Sequence, residues 1–267
     1  MKPATQMQFE TILYEVQGGV ARLTLNRPDA ANSINLQLAK DLAYAAMEAD
    51  EDSSVRAVLL SANGKMFCAG GDLRSFAAAE DRVPFLLKEI TTYLHAAVSR
   101  FARMRAPVIA AVNGAAAGAG FSLVAAVDLA IASESSSFMM AYTAAGLVPD
   151  GSSTFFLPRT LGRRRTLELM LLNRRLSAAE ALDWGIVNRV VPDAELAAEA
   201  EKLATTIASG PTGAYGLTKK LVLSTTESLE AQMELETRAI SDVARTDDAK
   251  GGIRAFLEKR KPTFQGR

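Results

Sequence analysis

Two glycine-rich segments are the first places in this sequence where residue type and spacing could support chemistry. Residues 69–71 read Ala-Gly-Gly, residues 118–120 read Gly-Ala-Gly, and each lies shortly after an apolar run. Because glycine has no Cβ, a ligand can come close to the backbone N–H groups of such a turn. If both turns follow parallel strands, two N–H groups can point at one carbonyl oxygen and form an oxyanion hole. Each segment taken alone is also typical of a tight turn beside a closely packed helix.

One acidic residue, Asp150, has the chemistry to move a proton near such a hole. It lies in Pro149-Asp150-Gly151, a sequence that is also typical of an ordinary surface turn. Asp72 is expected to cap the segment that follows it rather than to transfer a proton. The single cysteine, Cys68, has no histidine paired with it in its motif, so we interpret it as a structural residue. The single histidine, His95, lies on a predicted amphipathic helix, where a packing or surface role is more common than catalysis.

The elements that must position these segments alternate between strand and helix patterns. Short apolar runs predict strands covered on both faces, and apolar residues three or four apart predict helices with one buried face. The predicted elements are a hairpin with strands at 9–16 and 20–26, a helix at 35–50, strands at 55–60, 108–112 and 129–132, a helix at 84–105 and a helix from about 119. This alternation implies a largely parallel sheet. Beyond residue 191 the strand patterns stop, and about four helices are predicted.

The composition is that of an ordinary globular protein. The chain has 267 residues, 49% of them hydrophobic, with 30 basic and 30 acidic side chains, and this balance disfavours nucleic acid as a main partner. No stretch reaches about 18 uninterrupted apolar residues and residues 1–10 do not resemble a secretory leader, so we expect no membrane association and a cytoplasmic location. One cysteine and one histidine leave little for a metal site, so no bound metal is expected.

Taken together, the glycine-rich turns and the acidic turn resemble the crotonase (enoyl-CoA hydratase/isomerase) superfamily. The segments that carry the resemblance, in the family's order and spacing, are residues 25–32, 67–73, 113–120, 146–151, 182–187 and 256–260. The resemblance implies an α/β crotonase fold, which is a spiral of ββα units with a largely parallel sheet. It also implies a core over residues 1–192 that holds an acyl-CoA site, and a helical region over 193–267 that serves in oligomerisation or covers the site.

The resemblance further implies roles for individual residues. The backbone N–H groups of Gly71 and Ala119 would hold the thioester oxygen, and Asp150 stands where certain family isomerases and dehalogenases carry their acidic catalytic residue. Enoyl-CoA hydratases place two glutamates around a bound water, and the matching positions here are Ser122 and Tyr142. Neither is a carboxylate, so hydration in the usual way is disfavoured. Double-bond migration through an enolate, with Asp150 moving one proton, is the favoured reaction.

The substrate implied by the resemblance is an acyl-CoA thioester, so coenzyme A is part of the substrate and no separate cofactor is expected. Cationic Arg27 or Arg74 would lie near its phosphate groups. The residues expected to bind the substrate are Arg27, Ala30, Ala31, Ala69, Gly70, Asp72, Leu73, Arg74, Gly118, Ser122 and Tyr142. Because the family forms trimers and hexamers, a homotrimer or a dimer of trimers is also expected.

The pattern is closest to the ring-1,2-epoxyphenylacetyl-CoA isomerases and related enoyl-CoA isomerases, and three other functions stay open. In a hydratase, Asp150 would activate water with help from Tyr142 or Ser122. In a dehalogenase of the 4-chlorobenzoyl-CoA type, Asp150 would be the nucleophile and His95 matches the catalytic histidine, although those enzymes have tryptophan at the position of Tyr142. The third is a protein with the crotonase fold that binds acyl-CoA without catalysis.

Overall fold

Strands and helices alternate along the chain up to residue 191, as the apolar patterns predict. The computed structural model describes residues 8–224 and 228–266. Within them the strands are β1 (Ile12–Gln17), β2 (Val20–Leu25), β3 (Ala57–Ala62), β4 (Val108–Val112), β5 (Ala115–Ala117), β6 (Leu129–Ser133), β7 (Ser137–Met139), β8 (Leu176–Ser177) and β9 (Arg189–Val191). The helices are α1 (Leu36–Glu51), α2 (Leu73–Ala78), α3 (Val83–Arg103), α4 (Ala119–Ala126), α5 (Ser153–Leu172), α6 (Ala178–Asp183), α7 (Leu196–Ala208), α8 (Thr212–Leu223), α9 (Leu229–Ala244) and α10 (Asp247–Leu257).

The described residues form two sheets, and the larger has six strands in the order β1-β2-β3-β4-β6-β9. β1 and β2 pair antiparallel as the predicted hairpin around Gly18 and Gly19, and every other neighbouring pair in this sheet is parallel. The predicted α/β class with a largely parallel sheet is therefore confirmed. Because parallel strands all end at the same edge, the chain leaves β3 and β4 side by side, and this brings the segments that follow them together.

A smaller three-stranded sheet, β5-β7-β8, lies beyond the carboxyl end of β4. It pairs β5 with β7 in parallel and β7 with β8 antiparallel. The backbone of Cys68 joins it through a single parallel bridge to Ala116. The smaller sheet thus holds the segment that follows β3 against the segment that follows β4.

The larger sheet is covered on both faces, which explains why its central strands are apolar throughout. Every residue of β4 is buried, and successive side chains of a strand point to opposite faces. One face carries the core shared with α1, α3 and α4, whose members include Leu38, Leu42, Leu60, Phe101 and Phe121. The other face packs against α7, and that core includes Leu59, Ile109, Ile131, Ala200 and Ala204. Each buried leucine, isoleucine or phenylalanine contributes roughly 2 kcal/mol of transfer free energy.

The C-terminal region is helical, as predicted, and the described residues after β9 contain no strand. Lys219 on α8 ties this region to the sheet. Its Nζ donates hydrogen bonds to the carbonyl oxygens of Phe101 and Ala106, both at 3.0 Å, and lies 2.7 Å from Oδ2 of Asp128. Burial lowers the pKa of Lys219 and raises the pKa of Asp128, so the two charges depend on each other.

A membrane span requires a helix that is both long and apolar, and none of the helices of the described residues meets both requirements.

Candidate active site

A cavity of about 280 Å³ opens where the chain leaves β3 and β4. The walls come from the segments after these two strands, from α2 and α3, and from the segment that leads into α5. The predicted site residues that line it are Ala69, Gly70, Gly71, Leu73, Gly118, Ala119, Tyr142 and Asp150. The structure therefore brings all three predicted catalytic residues to one cavity.

Hydrogen bonds to Ile34 fix the direction of the backbone at Gly71. Ile34 donates its N–H to the carbonyl oxygen of Gly70 at 2.7 Å, and Asp72 donates its N–H to the carbonyl oxygen of Ile34 at 3.0 Å. In an extended backbone, successive N–H groups point to opposite sides. The N–H of Gly71 therefore points away from Ile34. Ala119 lines the same cavity as Gly71.

The two glycine-rich segments are in direct contact. Gly70 has a φ of +96°, and a Cβ at this position would lie 3.0 Å from the carbonyl oxygen of Ala117 and 3.3 Å from Cα of Gly118. Only glycine avoids both the steric strain of this φ and the contact. Glycine at position 70 is thus needed for the approach of one backbone to another, and this approach brings the segment of Gly71 against the segment that leads into α4.

The backbone N–H groups of Gly71 and Ala119, both on the cavity wall, are unpaired in the described part of the chain. Neither Gly71 nor Ala119 donates its N–H to any described group. For Ala119 the reason is its place as the first residue of α4, because the first N–H groups of a helix have no partner within the helix. Both residues line the cavity, and the positive end of the α4 dipole lies at Ala119.

Asp150 is the acidic residue on the cavity wall, and Tyr142 holds one of its carboxylate oxygens. The Tyr142 hydroxyl donates to Oδ1 of Asp150 at 2.5 Å. The Ser122 hydroxyl lies 3.2 Å from the Tyr142 oxygen and 2.9 Å from the carbonyl oxygen of Asp150. Burial, together with the negative charge of Asp150, raises the pKa of Tyr142. Tyr142 therefore stays protonated at neutral pH and remains a donor to the carboxylate.

The second carboxylate oxygen of Asp150 faces His95. Nε2 of His95 lies 3.8 Å from Oδ2 of Asp150 and accepts a hydrogen bond from the N–H of Gly151 at 3.3 Å. The His95 side chain is 51% exposed, and it lines a second cavity of about 330 Å³ rather than the one that Asp150 lines. The prediction of a plain packing or surface histidine is therefore incomplete, because His95 is also a neighbour of the candidate acid.

The remaining predicted site residues lie outside the cavity wall. Arg27 donates to the carbonyl oxygen of Ser33 and pairs with Asp72 at 3.2 Å, so its guanidinium is already bonded to the protein. Arg74 is exposed, and among the described residues it has no ion-pair partner. The predicted residues that do not line the cavity are Arg27, Ala30, Ala31, Asp72, Arg74 and Ser122. Their contact with coenzyme A stays a prediction.

Asp72 and Cys68 have structural environments, in line with the sequence interpretation. The Asp72 carboxylate accepts a hydrogen bond from the N–H of Ser75 at 3.2 Å and so caps α2. Burial raises its pKa, but the hydrogen bonds from Ser75 and Arg27 outweigh burial and leave the pKa below its usual value. Cys68 is fully buried, and burial raises the pKa of its thiol to about 12. Neither side chain has the properties of a nucleophile or a general acid at neutral pH.

The apolar wall of the cavity was not predicted as part of the site. Its side chains are Phe76, Leu87, Ile90, Leu94, Leu147 and Val148. The periodic stripe on the predicted helix at 84–105 identified the buried face of α3, but nothing in the stripe indicated that part of it faces a cavity.

In the described ranges, no group of three or more histidine, cysteine, aspartate or glutamate side chains could hold a metal ion.

The sequence matches the family model for Enoyl-CoA hydratase/isomerase over residues 15–267. The chain belongs to the enoyl-CoA hydratase/isomerase family. The 1,2-epoxyphenylacetyl-CoA isomerase of Escherichia coli (strain K12) is 40% identical, over 97% of this chain and 100% of the relative. The 4-chlorobenzoyl coenzyme A dehalogenase-2 of Arthrobacter sp is 36% identical, over 86% of this chain and 84% of the relative. The crystal structure of an enoyl-CoA hydratase from Polaromonas sp. JS666 has a TM-score of 0.90 at 31% identity, covering 95% of this chain and 99% of that chain.

These similarities confirm the crotonase fold and the acyl-CoA enzyme family that the sequence predicts. The relatives include proteins named as an isomerase, a dehalogenase and a hydratase. Membership of the enoyl-CoA hydratase/isomerase family therefore does not identify the reaction, and the residues that line the cavity must be considered.

Proposed function

We propose that this protein is an enoyl-CoA isomerase, in which Asp150 moves a proton along the acyl chain of a CoA thioester. The proposal rests on the number of carboxylate side chains that line the cavity. Among the described residues that line it, Asp150 is the only carboxylate. One carboxylate suffices to take a proton from one carbon and return it to another, whereas hydration in this family uses two.

The proposed mechanism begins with the thioester oxygen between the N–H groups of Gly71 and Ala119. Asp150 removes a proton from C2 of a 3-enoyl thioester, and the electrons of the broken C–H bond delocalise over C1 to C4 and the thioester oxygen. The two N–H groups stabilise the negative charge on that oxygen. Asp150 then returns a proton to C4, which leaves the double bond between C2 and C3. Support for this arrangement comes from the free donors and the acid on one wall.

The apolar wall supports an uncharged acyl group as the substrate. Phe76, Ile90 and Leu94 are buried side chains, and they line the cavity without offering a polar partner. Burying a negatively charged acyl terminus among them, near the carboxylate of Asp150, would cost several kcal/mol. The relative named 1,2-epoxyphenylacetyl-CoA isomerase makes a phenylacetyl-derived thioester a natural member of the test panel.

One observation favours a second candidate, the dehalogenase. His95 lies 3.8 Å from Oδ2 of Asp150, and a relative named 4-chlorobenzoyl coenzyme A dehalogenase is 36% identical. Against this candidate, dehalogenases of this type have tryptophan at the position of Tyr142, whose hydroxyl here donates to the Asp150 carboxylate. Hydration is disfavoured because Ser122 and Tyr142, where hydratases have glutamates, bind Asp150 through their hydroxyl groups.

The deciding experiment compares the wild-type protein with Asp150→Asn on a panel of CoA thioesters. The panel contains 3-enoyl, 2-enoyl and phenylacetyl-derived thioesters and 4-chlorobenzoyl-CoA, with double-bond migration, water addition and chloride release measured separately. We expect migration with the wild type and a loss of about a hundredfold to ten-thousandfold in Asp150→Asn. Asp183→Asn, a substitution of the same kind at an exposed site, is the control. Normal isomerisation by Asp150→Asn would show that the proposed proton carrier is wrong.

We also propose that the protein assembles as a homotrimer or a dimer of trimers through its helical region. Support comes from large apolar side chains left exposed there, on α9 and α10. These are Leu229, Met233 and Ile240 on α9 and Ile253, Phe256 and Leu257 on α10. Apolar side chains clustered on helices are typical of surfaces that pack against another chain. Light scattering coupled to size-exclusion chromatography measures the mass, and a monomer at micromolar concentration would contradict the proposal.

A further inference from the structure

The two oxygens of the Asp150 carboxylate have different surroundings. Oδ1 accepts the hydrogen bond from Tyr142 at 2.5 Å, and Tyr142 stays protonated because burial raises its pKa. Oδ1 therefore already has a proton donor. Oδ2 is the oxygen left to accept a proton from the substrate, and Oδ2 is also the oxygen that lies 3.8 Å from Nε2 of His95.

His95 stands between Asp150 and a second cavity. It lies on α3, its side chain is 51% exposed, and it lines the second cavity together with Ser99, Arg103, Ser152 and Phe155. Asp150 does not line this second cavity, and His95 does not line the first. The imidazole is therefore a neighbour of the carboxylate in the acyl cavity and also part of the wall of the second cavity.

Nε2 of His95 is an unprotonated ring nitrogen, because it accepts the hydrogen bond from the N–H of Gly151 at 3.3 Å. Its one lone pair is engaged in this long hydrogen bond, which opens when Nε2 takes a proton from Asp150. A neutral imidazole that accepts at Nε2 carries its proton on the other ring nitrogen. The distance of 3.8 Å from Nε2 to Oδ2 is about 1 Å longer than a hydrogen bond, and a small side-chain rotation brings the two atoms into hydrogen-bond range.

We propose that His95 exchanges the proton carried by Asp150 with solvent. The proposal rests on the proposed role of Asp150 as the proton carrier. After Asp150 has taken a proton on Oδ2, the O–H bond breaks and an N–H bond forms at Nε2, which restores the carboxylate beside an imidazolium. The imidazolium then releases the proton on its other nitrogen to water in the second cavity. The reverse sequence brings a solvent proton to Asp150, so the charge balances and no redox partner is needed.

This route has a consequence that isotope labelling detects. Without exchange, the proton removed from one carbon returns to another carbon of the same molecule. With exchange, a reaction run in D2O places deuterium at the carbon that receives the proton. In this proposal His95 exchanges protons with Asp150 and does not contact the substrate. Replacing His95 should therefore change the source of the returned proton more than it changes the rate of isomerisation.

The experiment compares the wild type with His95→Gln during turnover of a 3-enoyl-CoA thioester in D2O. Mass spectrometry measures deuterium in the product at low conversion. We expect the variant to incorporate at least about fivefold less deuterium per turnover while keeping its rate within about tenfold of the wild type. Ser99→Ala, which changes another residue of the second cavity, serves as the control and is expected to match the wild type. Equal deuterium content in His95→Gln and the wild type would overturn the proposal.

A second measurement needs no turnover. His95 is the only histidine in the chain, so untagged protein gives one set of imidazole C–H signals in its proton NMR spectrum. We expect Asp150→Asn to move these signals and Asp183→Asn to leave them in place. Signals that do not respond to Asp150→Asn would also overturn the proposal, since the two groups would then not be neighbours in solution. These outcomes differ from a failure of the proposed function. If the isomerase proposal is wrong, Asp150→Asn turns over the thioester as fast as the wild type.

Discussion

Besides its apolar wall, the cavity has one wall made of backbone with unpaired N–H groups and another that carries the side chains of Tyr142 and Asp150. We call residues 69–71 and 118–119 the backbone wall, and Tyr142 and Asp150, with Ser122 and His95 behind them, the acid wall. In the backbone wall, the path of the chain depends on glycine and on backbone hydrogen bonds between segments. These fix the positions of the N–H groups, and no side chain of this wall is reactive. In the acid wall, hydrogen bonds between side chains orient the carboxylate. Substitutions in the backbone wall should therefore act by displacing the backbone. Substitutions in the acid wall should act by removing hydrogen bonds or the carboxylate itself.

Gly70→Ala should have the largest effect, because it changes the shape of the backbone wall. The new Cβ would lie 3.0 Å from the carbonyl oxygen of Ala117 at a φ of +96°. We expect the free energy of unfolding to fall by about 3 kcal/mol and the rate to fall roughly a hundredfold as Gly71 moves. Urea denaturation and steady-state kinetics measure the two losses.

Gly18→Ala is the matched control for Gly70→Ala. Gly18 also has a positive φ, +61°, but nothing lies within 4 Å of a Cβ placed there. It should cost about 1 kcal/mol of stability and leave the rate unchanged. Equal rates for Gly70→Ala and Gly18→Ala would show that the contact between the glycine-rich segments does not position the donors.

Tyr142→Phe should have the next largest effect, and that effect should be chemical. It removes the hydrogen bond to Oδ1 of Asp150, and hydrogen bonds to charged groups contribute about 1.5–3 kcal/mol. We expect kcat to fall roughly tenfold to a hundredfold with little change in KM. Tyr44→Phe, at a partly exposed tyrosine of α1, is the control. A rise in KM alone would instead support the substrate-binding role that the family resemblance implies for Tyr142.

Cys68→Ala should change the pH dependence of stability rather than activity. Burial raises the pKa of the Cys68 thiol from 9.0 to about 12. Because the folded-state pKa is the higher one, the resulting stability is fully present below about pH 9 and is lost as the pH rises towards 12. We expect the wild type to lose about 1–2 kcal/mol more than Cys68→Ala between about pH 8 and 10.5. Parallel stability curves in urea denaturation at the two pH values would contradict this.

Ser122→Ala should have the smallest effect. It removes a neutral hydrogen bond behind the acid wall, from a hydroxyl 3.2 Å from Tyr142 and 2.9 Å from the Asp150 carbonyl. A neutral hydrogen bond contributes about 1 kcal/mol, so we expect kcat to fall about threefold to tenfold. Steady-state kinetics compare it with Ser99→Ala, which should keep the wild-type rate. A loss as large as that of Tyr142→Phe would mean that Ser122, rather than Tyr142, orients the acid.

The elements with long apolar patterns could be predicted from the sequence, and the short ones could not. β3, β4, α1 and α3 follow the predicted runs within a few residues. β5 consists of three alanines, which carry no strand pattern, and it forms because β7 and Cys68 pair with it. α5 was not predicted, since Pro158 and the kink at Gly162 interrupt its pattern.

The same distinction holds within the candidate site. Gly71, Ala119 and Asp150 lie in motifs with a family resemblance, so their common location could be expected. The contact between His95 and Asp150 joins α3 to the segment before α5, and such a contact depends on tertiary packing rather than spacing. The bonds that occupy Arg27 were likewise beyond prediction, because they depend on where Ser33 and Asp72 come to lie.

The packing of α7 has a consequence for how the protein is made. The sheet face that contains Leu59, Ile109 and Ile131 is covered by α7, which follows β9 along the chain. During synthesis on the ribosome, that face stays open to water until residues 196–208 have left the exit tunnel. A nascent chain that stalls before them presents an apolar sheet surface, and this is the species that chaperones would bind and that would aggregate first.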